Sequence, residues 1–284
     1  MNALSRLLEH PLAHGRDLDD PQTTAVRRQI IAGKPFLVAI YQEWYALLRS
    51  AIPDPPGAIL ELGAGAGFIE RTLPEALKTD VLPFPGVDLV ADARGLPFVS
   101  GSLRAILMTN VFHHVPDAAA FLSEASRTLR PGGVVAMIEP WSTSWSRFVY
   151  RHLHHEPFDV AAPDWVLPPG GPLSGANGAL PWIVLHRDRA RFDSRWPEFP
   201  VDRLTPIMPL RYLLSGGVSL RALMPSWTTG PWRGVERLLE PFSDVFGMFV
   251  FAVVRKRSAP GAARPAGPGG KEPTDRARNS HPGC

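Results

Sequence analysis

An α/β fold on an open, mostly parallel sheet is what this sequence predicts, and three observations carry the prediction. Ala58, Ile59, Leu60 and Leu62 form a short apolar run that leads straight into Gly63, Gly65 and Gly67. Further strand-like runs stand at 87–91, 103–109 and 134–138, too short for helices and bounded by turn residues. Between the last two, Phe121, Leu122, Ala125 and Leu129 share one helical face. Strands that alternate with helices make βαβ units, whose crossovers are right-handed and whose strands run parallel.

Length and composition allow one large domain. The 284 residues suffice for a substantial core, and 45% hydrophobic with 20% charged residues is the balance of a soluble globular protein. The formal charge of +3 is partly a tail effect. Residues 258–284 hold four Lys/Arg and two Asp/Glu, which leaves 26 basic and 25 acidic residues elsewhere. A near-neutral body argues against a nucleic-acid groove, which carries a concentrated basic face. Cys284 is the only cysteine, so neither a disulfide framework nor a cysteine metal site is expected. The first nine residues lack the apolar core of a secretory signal, and no apolar run reaches the ~18 residues of a membrane span. A cytoplasmic enzyme is the expectation, with the oligomeric state left open.

In chain order, Asp20-Pro21 suits a helix start, with Asp20 as N-cap and Pro21 at the first helical position. That helix runs to about Ile31 and stops at Gly33. Pro35 opens a second, whose Phe36, Leu37, Ile40, Tyr41, Trp44, Tyr45 and Leu48 form a wide aromatic stripe. Such a stripe serves either core packing or a cap over a ligand. After the first strand the spacing is G-x-G-x-G, with Glu61 two residues ahead of Gly63. Glycine turns the backbone tightly and lets a ligand approach with no Cβ in the way. A dinucleotide fingerprint would read G-x-G-x-x-G and seat a pyrophosphate, which Glu61 repels; a cationic ligand it attracts.

A helix is expected from Phe68 to about Leu77, with Pro74 near its end, and Thr79-Asp80-Val81 as strand two. Asp80 follows Gly63 by 17 residues, close to the ~20 at which an acidic residue grips ribose hydroxyls. Asp88 and Glu75 compete for that part. Strand three, at 87–91, ends in Asp92-Ala93-Arg94-Gly95-Leu96-Pro97-Phe98. Strand four, Leu103 to Thr109, is followed by Asn110-Val111-Phe112-His113-His114-Val115-Pro116-Asp117. A helix from Ala118 to Leu129 stops at Arg130-Pro131-Gly132-Gly133, and strand five leads on to Glu139-Pro140-Trp141.

From Glu61 to Trp141 this series resembles the class I S-adenosylmethionine (SAM) methyltransferases, in particular their type 11 branch. The resemblance rests on motif I at Gly63–Gly67, the D-A-x-x-L-P-F segment from Asp92, the histidine loop and the L-R-P-G-G step. It implies a Rossmann-like seven-stranded sheet, mostly parallel, under an N-terminal helical cap. It implies SAM as cofactor and a small-molecule methyl acceptor. Cofactor contacts are implied for Glu61, Gly63, Ala64, Gly65 and Gly67, for Asp80 at the ribose, and for Asp92 and the Ala93 N–H at adenine. Asn110 falls at the methionine end. Glu139 and His114 are the candidates for contact with the acceptor, near Trp141. Glu139 comes first, because a carboxylate directly after a buried strand is costly without a partner. A structural hydrogen bond to a loop or to the N-terminal helices is its other reading. The alternative functions are an NAD-dependent oxidoreductase, or a methyltransferase-like protein that binds its ligand without turnover.

Beyond Trp141 the resemblance thins. His152, His154, His155 and Glu156 suggest metal ligands, but with no other ligand in view no metal is assigned. Residues 163–178 are loop-rich, and Asn177 caps a helix from Gly178 to about Phe192. Arg187, Arg189 and Arg191 near its end complement the helix macrodipole or meet an anionic acceptor. Residues 199–207 suit strand six and 248–254 the last strand. The interval 207–246 is long for the connection between them and reads as an insertion that helps build an acceptor lid. The expected organisation is a cap at 1–50, a SAM-binding domain at 51–257 with insertions at about 142–198 and 207–246, and a disordered tail at 258–284.

Overall fold

Seven strands form one sheet, in the order β3-β2-β1-β4-β5-β7-β6. They are β1 (Ala58–Leu62), β2 (Ala76–Asp80), β3 (Leu89–Val90), β4 (Leu103–Thr109), β5 (Leu129–Pro140), β6 (Val201–Ile207) and β7 (Phe249–Arg255). The computed structural model describes residues 8–257 apart from 55, 154 and 155, so the expected tail at 258–284 lies outside the described residues. β1 to β5 pair in parallel, and β7 joins β5 and β6 antiparallel. Strand order reverses between β1 and β4. In open α/β sheets such a switch point leaves a crevice at the carboxyl ends of the strands, where ligands bind.

Both faces of the sheet are covered, as near-continuous apolar strands require. The period of two along a strand sorts the side chains. Ile106 and Met108 of β4, with Val135 and Met137 of β5, join one core cluster. Ala105 and Leu107, with Val134, Ala136 and Ile138, join the other. Helix α1 (Pro21–Ala32) starts as its sequence indicates, the Asp20 carboxylate accepting from the Gln22 N–H. Helix α2 (Pro35–Ala51) buries its whole aromatic stripe in the second cluster. Each such large side chain contributes roughly 1.5–3 kcal/mol. Helix α3 (Ala118–Thr128), capped by Asp117, packs on the first cluster.

The crossover from β1 to β2 corrects one expectation. No helix spans Phe68 to Leu77: one 3₁₀ turn, Ile69–Arg71, leads into β2 at Ala76. Pro74 disfavours helical backbone at Leu73 and removes a donor, so a helix has no room to grow. The face such a helix would cover is filled by α2, whose Ile40, Trp44 and Leu48 share a cluster with Ile59 and Ile69. Strand three is also shorter than expected, only Leu89–Val90. The expected helix from Gly178 to Phe192 is broken: Leu180–Trp182 runs into a π-helical stretch, Ile183–Arg187, before Arg189–Arg195. Arg130-Pro131-Gly132-Gly133 does not simply stop α3, because the chain passes at once into the long β5. Among the described residues no helix is long and apolar enough to cross a membrane.

Candidate functional site

A cavity of about 1050 Å³ opens at the carboxyl ends of β1, β2 and β4. Its floor is the turn after β1. The Ala64 N–H donates to the Thr79 carbonyl, and the Gly65 N–H to Asp80 Oδ2 at 3.0 Å. Gly63 has φ +71, and a Cβ there would lie 2.5 Å from Val111 Cγ2. A Cβ on Gly67 would lie 2.5 Å from Tyr45 Oη, which accepts from the Phe68 N–H at 2.9 Å. These glycines are required by the turn and by the close approach of α2 and the loop after β4. Gly65, with φ +48, meets nothing closer than 3.8 Å, so its exposed edge belongs to the cavity.

Three carboxylates border this floor in different states. Glu61 is buried, and among the described residues no donor reaches its carboxylate. Burial pushes its pKa well up, and Glu70 and Asp80 add to the effect. A cation beside it would relieve that cost. Asp80 is buried at the end of β2, its Oδ1 accepting from the Leu82 N–H and its Oδ2 from Gly65. Burial raises its pKa against those hydrogen bonds. Asp92 is half-exposed at the rim and holds Arg94 in a two-pronged ion pair, which lowers its pKa. Ala93 lines the wall behind it. Asn110 adopts the left-handed region, φ +56, a conformation asparagine tolerates better than most residues. The hydroxyl of Thr109, beside it on the wall, is buried without a hydrogen-bond partner.

The loop after β4 carries the histidines on a 3₁₀ turn, Phe112–His114. Glu139 sits fully buried beneath it. Its Oε1 accepts from the Val111 and Phe112 N–H groups at 2.7 and 2.8 Å, and its Oε2 from His113 Nδ1 at 2.7 Å. These are the structural hydrogen bonds of its other reading, and Glu139 is not among the residues that line the cavity. Along β5 it shares the face of Val135 and Met137, while the neighbouring Pro140 reaches the cavity. Trp141 follows the same alternation into the first core cluster, away from the cavity. His114 does line the cavity, with Nδ1 3.1 Å from the Gly175 carbonyl. The two histidines diverge: Glu139 and Glu156 overcome the burial of His113 and raise its pKa to about 9, whereas burial and His113 lower that of His114 to about 4.

The roof comes from segments that sequence reading described only as cap and insertions. Tyr41 and Tyr45 of α2, Tyr150 of helix α4 (Ser144–Leu153), Tyr212 and Phe249 give the same cavity an aromatic chamber, with Tyr45 directly against the glycine turn. Tyr212 stacks on Trp44 with ring centroids 5.5 Å apart, and Tyr150 Oη donates to the Met248 carbonyl. Burial pushes the Tyr41 hydroxyl up to about 12 and the others upward too, so these phenols stay neutral. Lys34 Nζ donates to the carbonyls of Gly217 and Leu220, tying the 216–220 loop to the start of α2. Tyr150 and Tyr212 were not singled out as site residues, because they lie on short helices whose sequence does not say which side chain faces a cavity; Glu156 stood out only as part of the local histidine cluster, not as a partner of His113.

Residues 60–137 match the family model described as "Methyltransferase domain". Phthiotriol/phenolphthiotriol dimycocerosates methyltransferase 1 of Mycobacterium ulcerans is 35% identical over 85 residues, 25% of this chain and 31% of that protein. The 2-methyl-6-phytyl-1,4-hydroquinone methyltransferase of Synechocystis is 29% identical over 123 residues, 36% of this chain and 38% of that protein. The chain thus spans under two fifths of the length of these curated relatives. A chain from the complex of the Haloferax volcanii Trm112 methyltransferase activator superposes with a TM-score of 0.50 at 16% identity, over 86% of this chain and 99% of that one. At that identity the likeness is one of fold.

Proposed function

We propose that this chain, which carries a class I SAM-dependent methyltransferase domain, transfers the SAM methyl group to a small, largely apolar acceptor bound in the aromatic chamber. The observation that carries the reading is the buried carboxylate of Glu61, which faces the same cavity as that chamber and draws on burial and charge alone, with no hydrogen bond among the causes of its shift. A pyrophosphate at this turn would add to the burial that already disfavours the Glu61 anion, whereas a cation relieves it, which counts against a nicotinamide dinucleotide. The amino group and sulfonium of SAM supply the positive charge the site lacks.

SAM brings an already activated methyl group. The chain's own residues would then bind, orient and exclude water. Glu61 would take the cationic end, with the Gly63–Gly67 backbone and Ala64 against the ligand. Asp80 is held by the Gly65 and Leu82 N–H groups and keeps lone pairs for the ribose hydroxyls. Asp92 and the Ala93 N–H would meet the adenine, Asp92 sharing its oxygens with Arg94. Asn110 and Thr109 lie between this end and the chamber. Holding an acceptor in line there can be worth ~7–11 kcal/mol. Glu139 serves as a positioning residue through the 111–113 loop, and neutral His114 is the imidazole open to the chamber. The names of the curated relatives point to lipid-like polyols and quinols as the acceptor class, in keeping with walls of tyrosine and phenylalanine.

Calorimetry with SAM and S-adenosylhomocysteine tests the cofactor, and a labelled-methyl assay against fractionated lipid and metabolite extract tests the transfer. Micromolar binding and label in an apolar fraction are expected. Absence of SAM binding would overturn the reading, and binding without turnover of any fraction would leave a ligand-binding protein on this fold.

A further inference from the structure

We propose that His113, His114 and Glu156 form a binding site for one divalent first-row transition-metal ion, open toward the acceptor chamber. Their ligand atoms lie within 4.8 Å of one another, and His113 Nε2 is 3.5 Å from Glu156 Oε2. Ligand atoms about 2.0–2.2 Å from a tetrahedral ion are about 3.3–3.5 Å apart, so small rotations close the set. The three residues come from two separate segments: the turn after β4 and the loop after α4. Of the local histidine cluster, His152 packs against Phe148, and His154 and His155 lie outside the described residues.

The outer contacts make this more than a chance cluster. His113 Nδ1 is held by Glu139 at 2.7 Å, and His114 Nδ1 by the Gly175 carbonyl at 3.1 Å. A backbone carbonyl can only accept, so His114 carries its proton on Nδ1 and presents Nε2 as a lone pair. Glu139, already accepting from two N–H groups, imposes the same tautomer on His113. Metal-binding histidines are fixed in this way, one nitrogen on a carboxylate or carbonyl and the other on the ion. Two nitrogens and one oxygen suit zinc, iron, cobalt or manganese over magnesium or calcium, which favour all-oxygen sites. Three protein ligands leave positions for water or an acceptor oxygen, the arrangement of sites that act on a ligand rather than brace a fold.

The test is a cobalt(II) titration of the full chain after chelation and dialysis, near neutral pH, read by visible absorption and by elemental analysis after desalting. One ion per chain, displaced by zinc, is expected. His114→Ala and Glu156→Gln, checked for unchanged circular dichroism, should each weaken binding more than about 10-fold, and Glu139→Gln about 10–100-fold. An undamaged wild type that takes up no cobalt or zinc would overturn the proposal. So would one bound ion retained with full affinity in both ligand variants. SAM calorimetry on the same chelated sample reads the cofactor separately, so loss of metal uptake and loss of SAM binding are distinguishable results.

Discussion

The two ends of the cavity are built by opposite means. The end we assign to the cofactor is one glycine turn with three carboxylates, all between Glu61 and Asn110 and all at the ends of neighbouring strands. The end we assign to the acceptor is made of side chains from α2, α4, the 212–220 segment and β7, which lie far apart in the chain. An end framed by a parallel sheet keeps its geometry as long as the sheet exists. An end assembled from packed aromatic rings can be reshaped one residue at a time without touching the first. The carboxylates Glu61, Asp80 and Asp92 border the first end, and the tyrosines of the second stay neutral.

The largest effect expected is from Gly65→Val. Its φ of +48 is one a β-branched residue rarely adopts, and the new side chain would project into the cavity with no protein atom nearer than 3.8 Å. Calorimetry should show SAM binding abolished while a cooperative melt remains. Full affinity in this variant would refute the placing of SAM at the turn.

Next is Glu61→Gln. Loss of a charge-assisted contact worth roughly 1.5–3 kcal/mol should weaken SAM about 10- to 100-fold. Because burial raises the Glu61 pKa, the folded state holds its proton to higher pH than the unfolded chain does. Stability therefore falls as pH rises from the ordinary carboxylate range through the raised value, and this variant should melt higher than wild type at neutral pH. SAM affinity of the wild type should rise over the same window as the carboxylate forms, and the variant should be flat. A wild-type affinity independent of pH would remove Glu61 from the cofactor contacts.

The smallest effect is at the other end. Tyr212→Leu forfeits ring contacts with Trp44 and Phe249 worth about 0.5–1.5 kcal/mol each. A lower melting temperature with SAM affinity within a few fold is expected. A loss of SAM affinity as large as that of Glu61→Gln would show that the two ends are one unit.

The parts of this molecule legible in the chain are those whose signal is local. A short apolar run before a glycine turn, an aspartate at the end of β2 and the capping residue of α1 each report a backbone state set by near neighbours. Parallel order follows from them, because helix-length connections leave few ways to cross over. Where two signals met, the shorter-range one prevailed: Pro74 cancelled the helix that the βα alternation led one to expect, and α2 took its place against β1. Tertiary structure alone decided which way Glu139 and Trp141 face, that Glu156 meets His113 across 43 residues of chain, and that Tyr150 and Tyr212 close one chamber. Those outcomes depend on strand register and on loops brought together only when the sheet is complete. No pattern of spacing within a segment encodes a contact whose partner lies in another.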